Sequence, residues 1–234
     1  MRSLTPEGVA DAVANRGGMF AGYELWSEHL AVLDWMRFKH AAVEQHISAI
    51  YGGIKEYHPE LSVGVSSRMP ALAPITGHNL RRTRNYSDFQ LPKLYWWPGG
   101  VAGLRGTAMN WVETLAEWNP GLGVEAASEW FSAAFDIPIP KSYSVPGWGS
   151  EAPDGWFEST VDDQVRKMIA AVGDLDDFVP WVGLEHFGST WITPSELRRM
   201  LGVMKRHGVR RYSYFVYNSL TPDYWNVIRE FSRG

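Results

Sequence analysis

Three glutamates, two cations and a series of aromatic rings stand where this sequence leaves an apolar run and enters a loop. Glu185 closes the run Phe178-Val179-Pro180-Trp181-Val182-Gly183-Leu184, just ahead of Phe187-Gly188-Ser189-Thr190. A carboxylate buried at such a point without a partner would cost on the order of several kcal/mol, so a strand of this kind ends in a group that has a use for charge. Glu24 and Glu28 flank Trp26 after another short aromatic run, and Arg68 follows Leu61–Ser67. Lys93, Tyr95, Trp96 and Trp97 close a third run, His186 follows Glu185, and Tyr217 and Asn218 close the last. If these runs are parallel strands, their C-terminal ends share one face, and carboxylates, cations, an amide and aromatic rings line one mouth. Carboxyl groups held in different surroundings can divide proton donation from nucleophilic attack.

Each residue also has a plainer reading. Glu185 could be a structural carboxylate held by backbone donors or by Arg68, and Glu24 and Glu28 could serve a helix N-terminus. His186 could support Glu185 or bind a metal, but no second histidine lies at ligand spacing, so no metal is expected. His40 and His46 are six apart and do not share a helix face. Trp96 and Trp97 point to opposite faces of a strand, which gives one to the core and one to a ligand. Asp88 reads as a turn or cap residue, and Asp162 and Asp163 as helix N-terminal charge.

The elements that must position these groups alternate in period. Thr5-Pro6 opens a helix that Gly17-Gly18 stops, and Met19–Trp26 reads as a strand. Leu30–Tyr57 is the longest helical stretch, with Leu33, Met36, Val43, Ile47, Ile50 and Ile54 near helical spacing, and Gly52-Gly53 weakens it late. Leu61–Ser67 and Phe89–Trp97 are strands, Gly103–Trp118 and Val124–Phe135 helices. Residues 137–155 carry four prolines and several glycines, which predicts an irregular insertion of the kind that forms lids or binding loops. Phe157–Val172 is a helix and Phe178–Glu185 a strand. Thr193-Pro194-Ser195-Glu196 is a capping box that opens a helix ending at His207-Gly208. Arg211–Tyr217 is a strand, and Thr221-Pro222-Asp223 opens the last helix. Strands regularly separated by helices imply parallel pairing and an α/β fold, here with about five strands in a single domain over residues 1–234. Five such strands fit a doubly wound sheet or part of a (β/α) barrel. No glycine-rich phosphate fingerprint follows the first strand, which disfavours a nucleotide fold and a nucleotide cofactor.

Composition narrows the function classes. The 234 residues carry a net charge of −4, which leaves no electrostatic footprint for nucleic acid or an anionic membrane. Arg81, Arg82 and Arg84 read as a solvated helix face. No stretch approaches the roughly 18 apolar residues of a membrane span, and the N-terminus lacks an apolar leader core, so a cytoplasmic location is the default expectation. The absence of cysteine removes disulfides, thiolate metal sites and a cysteine nucleophile, and no cofactor is expected. Aromatic residues make up 14% of the chain, with 12 Trp, more than core filling requires and suited to stacking on the flat C–H faces of sugars.

The strand-end pattern resembles the C-terminal part of a glycoside-hydrolase barrel of the large retaining superfamily with paired glutamates at the ends of strands four and seven. Asp34-Trp35-Met36-Arg37-Phe38 and Leu91-Pro92-Lys93-Leu94-Tyr95 look like segments of beta-galactosidase-like barrels. The resemblance implies a (β/α)8 (TIM) barrel with Met19–Trp26 as strand four, Leu61–Ser67 as five, Phe89–Trp97 as six, Phe178–Glu185 as seven and Arg211–Tyr217 as eight. It implies Glu185 as nucleophile and Glu24 as acid/base; since that acid/base usually follows an Asn and Tyr23 precedes Glu24, Glu28 remains a second candidate for the role. Arg68, Lys93, Tyr95, Trp97, His186, Tyr217 and Asn218 would then contact a carbohydrate ligand. Strands one to three have no room upstream of Met19. The expectation is therefore a missing N-terminal half or a barrel completed by another chain, including a homo-oligomer. The alternative function is a non-catalytic carbohydrate-binding or structural half-barrel.

Overall fold

The computed structural model describes residues 27, 30–95, 103–139, 155–186, 190–215 and 217–232. Helix α1 spans Leu30–Tyr57 and is followed by strand β1, Gly64–Ser67, the short helix α2, Leu80–Thr83, and strand β2, Phe89–Tyr95. Helices α3 (Leu104–Trp118), α4 (Gly123–Phe135) and α5 (Trp156–Val172) lead to strand β3, Trp181–Gly183. A small hairpin of β4 (Glu185–His186) and β5 (Thr190–Trp191) precedes α6 (Pro194–Arg206), strand β6 (Ser213–Phe215) and helix α7 (Pro222–Ser232).

The chain is mixed α/β, built on a four-stranded parallel sheet in the order β1-β2-β3-β6. Lys93 pairs with Trp181 and Trp181 with Ser213, while Tyr95 pairs with Gly183 and Gly183 with Phe215. Each strand therefore lies beside the next parallel strand in the chain, with no reversal of order. The expected strand at Met19–Trp26 and the expected N-terminal helix lie outside the described residues, as do Trp96, Trp97 and most of the irregular stretch 137–155. Residues 137–139, which are described, carry no helix or strand.

Alternation along the strands decides the two faces of the sheet. Gln90, Pro92 and Leu94 of β2, Val65 and Ser67 of β1 and Val182 of β3 are buried, against Phe89, Leu91, Lys93 and Trp181, which are half-buried on the other face. The buried face joins one core with Leu104, Val112 and Leu115 of α3, Phe131 of α4, Phe157, Val165 and Met168 of α5, and Leu197, Met200 and Leu201 of α6. Leu94 and Val182 are β-strand contributions to this core, on a face that helices cover as parallel strands require.

Two expectations about elements need correction. The strand Phe178–Glu185 breaks: Phe178 makes an isolated bridge with Gln90, β3 covers only Trp181–Gly183, and Glu185 belongs to the antiparallel hairpin, where it pairs with Trp191. Pro180 lacks an amide proton and cannot extend the ladder. Asp162 and Asp163 do not sit at a helix N-terminus. They lie well inside α5, where Asp162 meets His207 at 2.6 Å and Arg166 at 2.9 Å, and Asp163 meets Lys167 at 2.6 Å.

Helix α1 runs through Gly52-Gly53 without interruption to Tyr57. Leu33, Met36, Val43, Ile47 and Ile54 form its half-buried stripe, but Ile50 is exposed, as are Trp35 and Phe38. The helix is tied to the sheet by polar contacts. Lys39 donates to the Ile75 carbonyl, Arg82 pairs with Glu44 at 3.1 Å, and Tyr51 and Lys55 reach Asp88. Gly77 allows the close approach: its φ is +86°, and a Cβ there would lie 2.8 Å from the Lys39 carbonyl oxygen. Asp88 is the structural residue the sequence suggests, accepting from the Val63 amide at 2.7 Å.

Candidate functional site

Parallel strands bring their C-terminal ends to one edge, and that edge carries Arg68, Tyr95, the Leu184-Glu185 junction and the turn after Phe215. On the face away from the helices, Tyr95 stacks on Phe215 with ring centres 5.7 Å apart and an interplanar angle of 22°. Trp181 meets both edge-on, 5.9 Å from Tyr95 and 5.6 Å from Phe215. Strand register causes this, because Tyr95 and Phe215 flank Gly183, whose missing side chain leaves the two rings free to meet across β3.

Lys93 lies on the same face one pleat lower, with Nζ 5.6 Å from the Trp181 ring centre and 5.9 Å from that of Tyr95. Among the described residues it has no carboxylate partner. Burial, and then the charge of Arg68, hold its ammonium below the ordinary lysine range. Burial pushes the Tyr95 phenol well above its usual range, so it stays a neutral donor. His78 is held below the ordinary histidine value by burial, then by Lys93 and His40, which favours its neutral form at this edge.

Arg68 extends from the end of β1. Its Nη2 donates to Thr107 Oγ1 at 2.5 Å, while its Nε–H is buried without an acceptor. Burial lowers its pKa from the arginine value. No carboxylate among the described side chains pairs with it. Arg68 instead lines a cavity of about 340 Å³ between α3 and the turn after β1. A second cavity, of about 450 Å³ beside Val209, Tyr212 and Tyr214, lies at the start of β6, away from the strand C-termini.

Glu185 and His186 follow β3 directly, and the hairpin holds their backbone: the Leu184 amide donates to Phe215 O at 2.6 Å, and the Ile192 amide to Leu184 O at 3.1 Å. Leu184, just before Glu185, is thus bonded to β6 on one side and to Ile192, just after β5, on the other. Tyr217 and Asn218 do not extend β6. They lie in a 3₁₀ turn, Tyr217–Ser219, and Tyr217 is 74% exposed with its ring edge-on to Trp225. Glu24, Glu28 and Trp97 lie outside the described residues. The structure therefore gathers Lys93 and Tyr95 with the backbone of Glu185, sets Arg68 beside them in a cavity of its own, and puts Tyr217 on the surface.

Trp181 and Phe215 were not among the expected site residues, although their alternation with Val182 and Tyr214 places them on the face of Lys93. Arg105 is a second omission. It is 3% exposed in the first turn of α3, where burial lowers its pKa and the charge of Glu196 raises it. Nothing in a sequence marks an arginine that starts a helix as buried.

Among the described residues there is no group of three or more His, Asp or Glu placed to hold a metal ion, and no helix is long and apolar enough to cross a membrane. None of the family models, curated proteins or solved structures compared with this chain matches it.

Proposed function

We propose that the chain is a (β/α)-barrel-type glycoside hydrolase that cleaves a β-linked sugar or oligosaccharide by retention, with Glu185 as nucleophile and Glu24 or Glu28 as acid/base. The observation that carries this reading is the position of Glu185. It follows the C-terminal end of a strand flanked by parallel strands on both sides, at the edge where Tyr95, Trp181, Phe215 and Lys93 meet. A parallel sheet wound in chain order, without a switch point, supports barrel-type winding over a doubly wound sheet.

The chemistry needs one ionised and one protonated carboxyl group. The ionised group attacks the anomeric carbon as the protonated one gives its proton to the leaving oxygen. Water, deprotonated by that second residue, then releases the sugar and restores the first carboxylate. An ammonium that, like Lys93, has no carboxylate partner among the described side chains favours the ionised form of a carboxylate that reaches it. Aromatic faces at the same edge suit the C–H faces of a sugar ring.

The test is Glu185→Gln assayed on a panel of aryl β-glycosides. Turnover by the wild type and its loss in a variant with unchanged circular dichroism and melting temperature is the expected result. Full activity in the variant removes Glu185 from the mechanism.

The second reading is a carbohydrate-binding or structural half-barrel that associates with a partner chain. It is favoured by Phe89, Leu91, Trp181 and Phe215, which are half-buried on the face opposite the helices, and by β1 and β6, each unpaired on its outer side among the described residues. Sedimentation velocity separates the two: a stable dimer without glycosidase activity supports the second.

A further inference from the structure

The cavity beside Arg68 has a chemistry that the proposed reaction leaves unused. It runs from the end of β1 along one stripe of α3, from Thr107 past Asn110, Trp111 and Thr114 to Trp118. At about 340 Å³ it falls at the lower end of the roughly 300–1,000 Å³ typical of small-molecule sites.

Three of its polar side chains, those of Arg68, Asn110 and Thr114, have hydrogen-bonding capacity to spare. A guanidinium has five N–H donors. That of Arg68 makes one hydrogen bond, to Thr107, and its Nε–H is buried without an acceptor. The side chains of Asn110 and Thr114 have no hydrogen-bond partner among the described residues. Among the described residues no carboxylate lines the cavity, and Arg68, after burial, is what lowers the pKa of Lys93. Two cations at one edge with no carboxylate between them among the described side chains are an electrostatic cost that an incoming anion relieves. At the outer end, Trp118 is 48% exposed and offers a flat face, while Trp111 is fixed by an edge-on contact with Phe135 at 5.3 Å.

We infer that this cavity is the subsite for a carboxylate-bearing sugar unit, so that the substrate class is an acidic, uronate-containing glycan. The guanidinium of Arg68 takes the carboxylate, Asn110 and Thr114 take ring hydroxyls, and Trp118 stacks on the C–H face. The inference rests on the glycosidase reading for the word substrate; the binding site itself rests on the cavity and on Arg68.

The experiment measures binding of sodium glucuronate and galacturonate, against glucose and galactose, by calorimetry or saturation-transfer NMR on the full chain. The expected result is at least tenfold tighter binding of the uronates, a preference that shrinks with added salt and is lost in Arg68→Met. Asn110→Ala, at an exposed position that does not threaten folding, weakens uronate binding while keeping the preference over neutral sugars. Equal binding of charged and neutral sugars by the wild type, or a preference unchanged in Arg68→Met, overturns the inference. Turnover by the wild type, measured beside uronate binding, separates the two levels. Uronate preference without turnover of any aryl glycoside by the wild type sinks the glycosidase reading and keeps the subsite. Turnover of neutral glycosides without uronate preference does the reverse.

Discussion

The ammonium of Lys93 stands 5.6 Å from the centre of the Trp181 indole, on the sheet face opposite the one that packs into the helical core. Strand pairing sets this contact, since Lys93 and Trp181 are direct neighbours across β2 and β3. Burial and Arg68 both disfavour its charged form. Lys93 should therefore titrate below the ordinary lysine value of 10.5, and Arg68→Met should move it back up by removing one of the two causes. The sign for stability follows: a lysine whose folded pKa is depressed binds its proton less tightly folded than unfolded. Stability from this group thus rises with pH between the folded value and the free value of 10.5. Carbon-13 NMR of ε-labelled lysines measures the titration directly. A Lys93 midpoint that Arg68→Met leaves in place would show that the two charges do not sense each other.

Asp88 gathers three contacts that no other residue could supply together: Lys55 at 2.7 Å, the Val63 amide at 2.7 Å and the Tyr51 hydroxyl at 3.1 Å. They join α1 to the starts of β1 and β2. The hydrogen bond from Lys55, followed by that from Val63, holds its carboxyl below the model-peptide value of 3.8. A depressed carboxyl contributes stability that is present above 3.8 and is lost as pH falls through the folded value. Asp88→Asn should therefore lower stability at pH 7 by about 1 kcal/mol, as expected for a partly exposed charged hydrogen bond. The gap from wild type should close as pH falls from 3.8 through the folded value in denaturant melts. A gap independent of pH would mean that shape, not charge, is what Asp88 supplies.

The helices were legible because their punctuation is local. Leu30–Tyr57 has the same bounds in sequence and structure, and Thr193 to Glu196 announces α6 by residue type alone. Strand ends were less legible. Leu184 continues the apolar run in composition, yet the chain leaves the sheet at Gly183, because pairing with β2 and β6 ends there and the hairpin with Thr190–Trp191 takes over. Tyr217 looked like a strand terminus for the same reason, and a 3₁₀ turn claims it instead. Of the expected site, Lys93 and Tyr95 converge because period-two alternation puts them on one face. The role of Arg68 beside α3 was hidden, because its partner Thr107 is 39 residues away and carries no mark in the sequence.

The capping box at the start of α6 offers a local test of that legibility. Thr193 Oγ1 accepts from the Glu196 amide at 3.1 Å, and Glu196 Oε2 accepts from the Thr193 amide at 2.7 Å. Glu196 is 2% exposed and Thr193 half-buried. Thr193→Ala should cost about 1 kcal/mol. Glu196→Ala should cost more, because it also removes the charge that acts on buried Arg105. Urea melts of the two variants and their double mutant measure this. Additive losses would deny that the two bonds act as one unit.

On the glycosidase reading, Glu24 and Glu28 compete for the acid/base role, and a kinetic signature separates them. In a retaining enzyme this residue protonates the leaving oxygen in the first step and deprotonates water in the second. Its removal therefore flattens the alkaline limb of the pH–rate profile, which reports the group that must be protonated. It also hurts least on substrates whose leaving group needs no proton, such as dinitrophenyl glycosides, and a small anion such as azide then restores turnover by attacking the glycosyl-enzyme in place of water. Glu24→Ala and Glu28→Ala should divide cleanly: one shows the flattened limb and azide rescue, the other a near-normal profile. A nucleophile variant shows neither, because Glu185→Gln leaves no covalent intermediate for azide to intercept. If both alanine variants keep the wild-type alkaline limb, neither glutamate is the acid/base, and the two-carboxylate mechanism loses its second member.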